Sequence, residues 1–166
     1  VALGNESDEK ILYGDCVVEN NGSEEKWVYA DENRLSFRFL CNYSLAHPSM
    51  FIKRELFKTL GLYNENHVFS SDWEFYLLAI IKHDVSIRKI DIPISKFDLS
   101  GISSDPQNKQ KMMSEREEFL LEHFRYFQRD YQDLERLDNS FPIKIYRVIK
   151  SLILFPHRII VRINKD

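Results

Sequence analysis

Eight residues near the start of the chain, Ile11-Leu12-Tyr13-Gly14-Asp15-Cys16-Val17-Val18, most narrow what it can fold into. β-Branched and aromatic side chains favour extended backbone, and Asn20-Asn21-Gly22-Ser23 just after them is a turn signal. Trp27-Val28-Tyr29 then reads as the returning strand of a hairpin. Such a hairpin has little of its own to pack against. The expectation is that it joins a sheet whose other strands lie outside this chain.

The rest alternates helix and strand patterns. Asp31-Glu32-Asn33 offers a cap for a short helix over 34–40, and Ser49–Lys53 reads as a short strand after Pro48. Leu56, Phe57 and Leu60 share a helical stripe that Gly61 would end. Residues 62–67 read as a loop. Ser70-Ser71-Asp72 caps the clearest helix, 71–84, in which Trp73, Leu77, Ile80 and Ile81 recur at helical spacing. Val85–Ile94 alternates with period two, and Pro93 pushes the end of that strand to a sheet edge. Ser114-Glu115-Arg116-Glu117 fits a capping box opening a long helix with Phe119, Leu120, His123, Phe124 and Phe127 on one face; Asp138-Asn139-Ser140 breaks it. These patterns predict an α+β fold: a small sheet from 11–18 and 85–94, backed by the 71–84 helix, with a helical extension. Two parts are expected, residues 1–125 and residues 126–166.

Composition removes several classes. In 166 residues, 43% are hydrophobic and 30% charged, with only 5 Gly and 5 Pro, which excludes disordered, collagenous and low-complexity chains. Cys16 and Cys41 lack paired spacing and read as ordinary thiols in a reducing compartment. No signal peptide opens the chain and no run is long enough for a spanning helix; the first residue is Val rather than Met, which suggests an excised piece. From Phe141 onward six bases face one acid, a net +5, while the remainder carries 17 bases and 25 acids, a net −8. The acidic body argues against nucleic acid. In the basic tail, Ile145, Ile149, Leu152 and Ile153 follow helical spacing among Lys144, Arg147 and Lys150, and Ile159, Ile160 and Ile163 continue after Pro156. One or two amphipathic helices over 141–166 are expected, either packed on the body or lying on an anionic membrane surface. No zinc spacing, P-loop, nucleophile elbow or Cys–His pair is present.

Five short segments say more when taken in order: Leu12–Asp15, His47–Arg54, Gly61–Glu65, Ser71–Phe75 and Phe97–Ser103. Over about two-thirds of the chain their order resembles family 2 glycosyltransferases of bacterial surface-polysaccharide pathways. The resemblance implies a GT-A fold and inverting transfer from a nucleotide-diphospho-sugar to an acceptor hydroxyl, the acceptor being a sugar or a lipid-linked glycan. Such enzymes hold a divalent metal, Mn or Mg, through an Asp-x-Asp motif ahead of the Tyr-Gly-Asp strand. No such motif lies before Ile11, so the chain is expected to be the acceptor-side half, without a metal of its own and inactive alone. The implied place is cytoplasmic, peripheral at the inner face of the plasma membrane. The alternative is a non-catalytic module that binds membrane or protein through its basic helices.

The resemblance also implies roles. Asp72 stands where the family has its general base, which takes the proton from the attacking hydroxyl; by residue type alone Asp72, or Ser71 beside it, is a helix cap. Trp73 is either a platform for a sugar ring or a core aromatic. Glu74 binds an acceptor hydroxyl or complements the helix start. His47 faces the cleft or is structural, and Asp98 is a late metal or diphosphate contact or a solvated loop residue. Tyr63 and Glu65 lie in a loop that could touch the acceptor.

Overall fold

In the computed structural model, which describes residues 8–20 and 22–154, Ile11–Asn20 forms the central strand β1. β2 (Ser23–Trp27) and β3 (Met50–Ile52) pair antiparallel with its two halves, Cys16 opposite Trp27 and Ile11 opposite Ile52. β4 (Ile87–Asp98) runs parallel to β1, from Ile11 opposite Ile87 to Glu19 opposite Asp98. The partners of the hairpin therefore come from within this chain, contrary to the expectation of outside strands. Flanked on both edges, Ile11 through Cys16 are all buried. Gly14 marks the closest approach: a Cβ there would stand 2.6 Å from the Ile92 carbonyl oxygen. The register shifts beside it, between Gly14 and Cys16, and Pro93 sits opposite Asp15 at that irregularity. Pro93 does not end the strand, because a bulge tolerates a residue with no N–H to donate.

The helices explain the rest of the patterning. α1 (Phe37–Asn42) begins later than expected because Ser36, not Asp31, caps it; the Ser36 hydroxyl accepts from the Phe39 N–H at 3.1 Å. α2 (Arg54–Thr59) is followed by Gly61 at φ +96°, the left-handed position for which glycine is suited. α3 (Ser71–Leu77) widens into a π-helical turn over Leu78–Lys82. Ile11, Leu56, Phe75 and Ala79 form a buried cluster, with Ile52, Tyr63 and Ile87 packed against it. The 71–84 segment thus backs the sheet, and the fold is α+β. Ser49 ties the layers together: its hydroxyl donates to the Asp15 carbonyl at 3.1 Å and lies 2.6 Å from the Ser95 hydroxyl.

α4 (Lys109–His123) starts ahead of Ser114, behind a 3-10 turn at Pro106–Asn108. Asp105 accepts from the Gln107 N–H at 2.9 Å, and an Asp followed by proline is a stronger start than an internal serine. The chain divides into two compact units, Val1–Phe119 and Leu120–Asp166, the division falling inside α4. The second unit holds α5 (Arg125–Asn139) and α6 (Phe141–Leu154), joined by an Arg147–Asp138 ion pair at 2.8 Å. Phe124 and Leu120 are buried there, whereas Phe127 is exposed. Among the described residues no helix is long and apolar enough to cross a membrane. The expected continuation beyond Pro156 lies outside the described residues.

Candidate functional site

The first turn of α3 is where local sequence and tertiary contacts converge. Asp72 sits in it with a half-buried carboxylate whose Oδ1 accepts from the Trp73 N–H at 2.6 Å. Trp73 through Leu77 behind it are all buried. Ser70, the residue that precedes the helix, makes no side-chain cap bond; its hydroxyl lies instead 2.7 Å from Glu74 and 3.0 Å from Glu115, with one proton for the two carboxylates. Glu115 also accepts the backbone N–H groups of Val68 (3.0 Å) and Phe69 (2.9 Å). One carboxylate of α4 thereby satisfies the last amides before α3 and fixes where Asp72 stands.

Glu74 is turned inward rather than toward a ligand. It is 3% exposed, its Oε1 lies 2.5 Å from His67 Nδ1, and its Oε2 accepts from the Asn64 amide at 3.4 Å. Its first-turn place still complements the helix start. Trp73 is a core aromatic: at 1% exposure no ring face reaches solvent for a sugar. Its indole N–H donates to the Leu40 carbonyl at 2.8 Å, Phe119 meets it edge-on at 5.6 Å, and the Arg116 guanidinium covers it at 4.6 Å.

His47 stands in a 3-10 turn, with Nε2 2.6 Å from the Tyr63 hydroxyl and the two rings edge to face. Burial pushes the Tyr63 phenol above its usual range, and the Asp72 charge adds to that. His47 and Tyr63 are thus in contact, and the Asp72 charge is felt at Tyr63; Ser71 is half-buried. Asp98 is engaged locally at the exposed end of β4. Its Oδ1 accepts from the Ser100 N–H at 2.8 Å, which holds its carboxyl below the usual carboxylate range.

Two further residues belong to this neighbourhood although sequence reasoning did not single them out. Tyr76, one turn beyond Asp72, is fully buried and accepts from the Leu45 N–H at 3.1 Å; burial raises its phenol. Arg116 donates to the Ser44 hydroxyl at 2.7 Å, and burial lowers its pKa against the opposing charges of Tyr76 and Asp72. Its signal was the pair Glu115-Arg116, visible but read as part of a helix start. Arg116 also borders a cavity of about 310 Å³ walled by Trp27, Leu45, Phe97, Leu99 and Met112. Two larger and more open hollows, about 400 and 530 Å³, lie along Val28–Ala30 and Tyr43 and include none of Asp72, His47 or Arg116.

Among the described residues no three His, Cys, Asp or Glu side chains cluster so as to hold a metal ion. Comparison with protein-family models, curated protein sequences and solved structures returns no match to this chain.

Proposed function

We propose that the first unit is the acceptor side of an inverting glycosyltransferase of the family 2 type, with Asp72 as its general base. One observation carries this reading. Asp72 is half-buried in the first turn of a helix whose next five residues are buried, and Glu115 clamps the chain that leads into it. A carboxylate so placed is restrained by its bond to the Trp73 N–H. In the proposed step the acceptor O–H gives its proton to Asp72 while its oxygen bonds to the anomeric carbon. The bond from that carbon to the departing nucleotide diphosphate breaks on the opposite face, so configuration inverts. In this reading the hydrogen-bonded pair His47 and Tyr63 contacts the acceptor. Asp98 accepts from its own turn, and the step assigns it no role.

The test is Asp72→Asn in the native gene product, with nucleotide release as the measure of turnover and calorimetry for the donor. Turnover should fall roughly 10²–10⁴-fold with donor affinity nearly unchanged. Full turnover by the Asn variant would reduce Asp72 to a cap.

A second reading has its own observation. On α6, Phe141, Ile145, Tyr146, Val148 and Ile149 are exposed, between 41% and 76%, among Lys144, Arg147 and Lys150. An apolar and basic helix of this kind suits an anionic bilayer surface, and so a peripheral place at the inner face of the plasma membrane.

A further inference from the structure

The cavity beside Arg116 carries an inference that does not depend on glycosyl transfer. Five segments wall it: the β1–β2 hairpin with the stretch after it, the 44–48 turn, Phe69 ahead of α3, the 97–104 segment and α4. Most of its surface is hydrocarbon and aromatic, from Trp27, Leu45, Phe97, Leu99 and Met112. At one end stands a single cation. Among the described residues no carboxylate lies within ion-pair distance of Arg116, and its one hydrogen bond is the 2.7 Å donation to Ser44. The Trp73 ring covers one guanidinium face, and Nε is buried without a partner. A guanidinium has five N–H donors, and this half-buried one makes a single side-chain hydrogen bond among the described residues while Asp72 and Glu74 act on it only through their charge. At about 310 Å³ the space is at the small end of ligand pockets, enough for one compact molecule.

We propose that this cavity binds a small anionic amphiphile. Its oxyanion head, a phosphate monoester, pairs with the Arg116 guanidinium and takes a hydrogen bond from the Ser44 hydroxyl. Its short apolar body lies against Leu45, Phe97, Leu99 and Met112. The charge selects the head and the hydrocarbon walls select the body, so neither part alone suffices. Such a head reaches the protein either on a soluble alkyl phosphate or on a membrane lipid.

Calorimetry at low salt on the native protein separates the contributions, with hexyl phosphate, hexanol and inorganic phosphate as probes. Hexyl phosphate should bind at least tenfold more tightly than either of the others. Arg116→Gln should weaken it roughly ten- to hundredfold, the loss expected of a charge-assisted bond. Because Arg116 also packs on Trp73, a second variant leaves it in place: Met112→Trp fills the cavity from its wall and should abolish hexyl phosphate binding with the circular dichroism spectrum unchanged. The two sources are told apart by sedimentation with phosphatidic acid vesicles. A loss of vesicle binding in Met112→Trp assigns the head to a lipid, and unaltered vesicle binding alongside lost hexyl phosphate binding assigns it to a soluble ligand. Hexyl phosphate binding no tighter than that of inorganic phosphate, or binding indifferent to both substitutions, overturns the proposal.

Discussion

Through Phe119 the chain uses its charged side chains as long-range ties; from Leu120 onward it uses them between near neighbours. Glu115 holds amides 46 and 47 positions away, and Asp15 is gripped by Lys26 at 2.8 Å and faced by Lys89 at 3.7 Å. In the second unit Arg136 pairs with Asp133 three residues off, and Arg147 with Asp138 across the next turn. Apolar residues follow the same division. Trp73, Tyr76 and Leu77 are buried to within 1%, while α6 leaves most of its large side chains in solvent. The first unit is held by contacts between residues far apart in sequence, and α6 of the second leaves apolar side chains in solvent.

The largest break in this contrast should come from its most buried ring. Trp73→Ala should cost about 3–5 kcal/mol of unfolding free energy, against less than about 0.5 for Tyr146→Ala on the exposed face of α6. Urea denaturation of both variants measures it, and equal losses would dissolve the distinction. Next comes Gly14→Ala. Where backbone allows, this change commonly stabilises, yet here the new Cβ would press on the Ile92 carbonyl oxygen, which cannot swing aside. A loss of roughly 1–3 kcal/mol is expected, read as a fall in melting temperature.

A smaller effect sharpens the electrostatic side. Burial pushes the Asp15 carboxyl upward, but the Lys26 bond, the Tyr29 N–H and the Lys89 charge outweigh it and hold its pKa below the usual value. A depressed folded pKa adds stability above the unfolded value of about 3.9, and that stability is lost as pH falls through the folded one. Asp15→Asn should therefore destabilise by on the order of 1 kcal/mol at pH 7, with the gap to the native protein closing below about pH 4. Acid denaturation followed at several urea concentrations would show a constant gap if Asp15 were not the group involved. The smallest effect on stability belongs to Lys144→Ala and Lys150→Ala. Each should leave the melting temperature unchanged yet lower binding to anionic vesicles by about 1 kcal/mol, measured by co-sedimentation. Vesicle binding that ignores both lysines would make α6 a packing element.

Much of this molecule was legible in the order of its residues. The Ile11–Val18 run, the period-two stretch before Pro93 and the helical recurrence from Trp73 identify strand, strand and helix, because backbone preference and side-chain period are local properties. Asp72 at a helix start was equally visible, since capping chemistry is written within three or four residues. What lay beyond reach were the long-range partners. Nothing near Glu115 says that its carboxylate will hold Val68 and Phe69, nor near Arg116 that it will cover Trp73; a capping box and a tertiary tie use the same letters. Trp73 itself was evenly balanced between platform and core, because exposure is a property of what packs on a residue and not of the residue. Asp31 has the extended backbone of a cap but makes no side-chain cap bond and opens only the 3-10 turn Glu32–Arg34, whereas Ser36 accepts from the Phe39 N–H; Asp105 in turn caps ahead of Ser114 by accepting from the Gln107 N–H. Local sequence thus determined the elements and the chemistry available on them. Only the tertiary structure decided which carboxylate faces outward, because burial and pairing depend on contacts far apart along the chain.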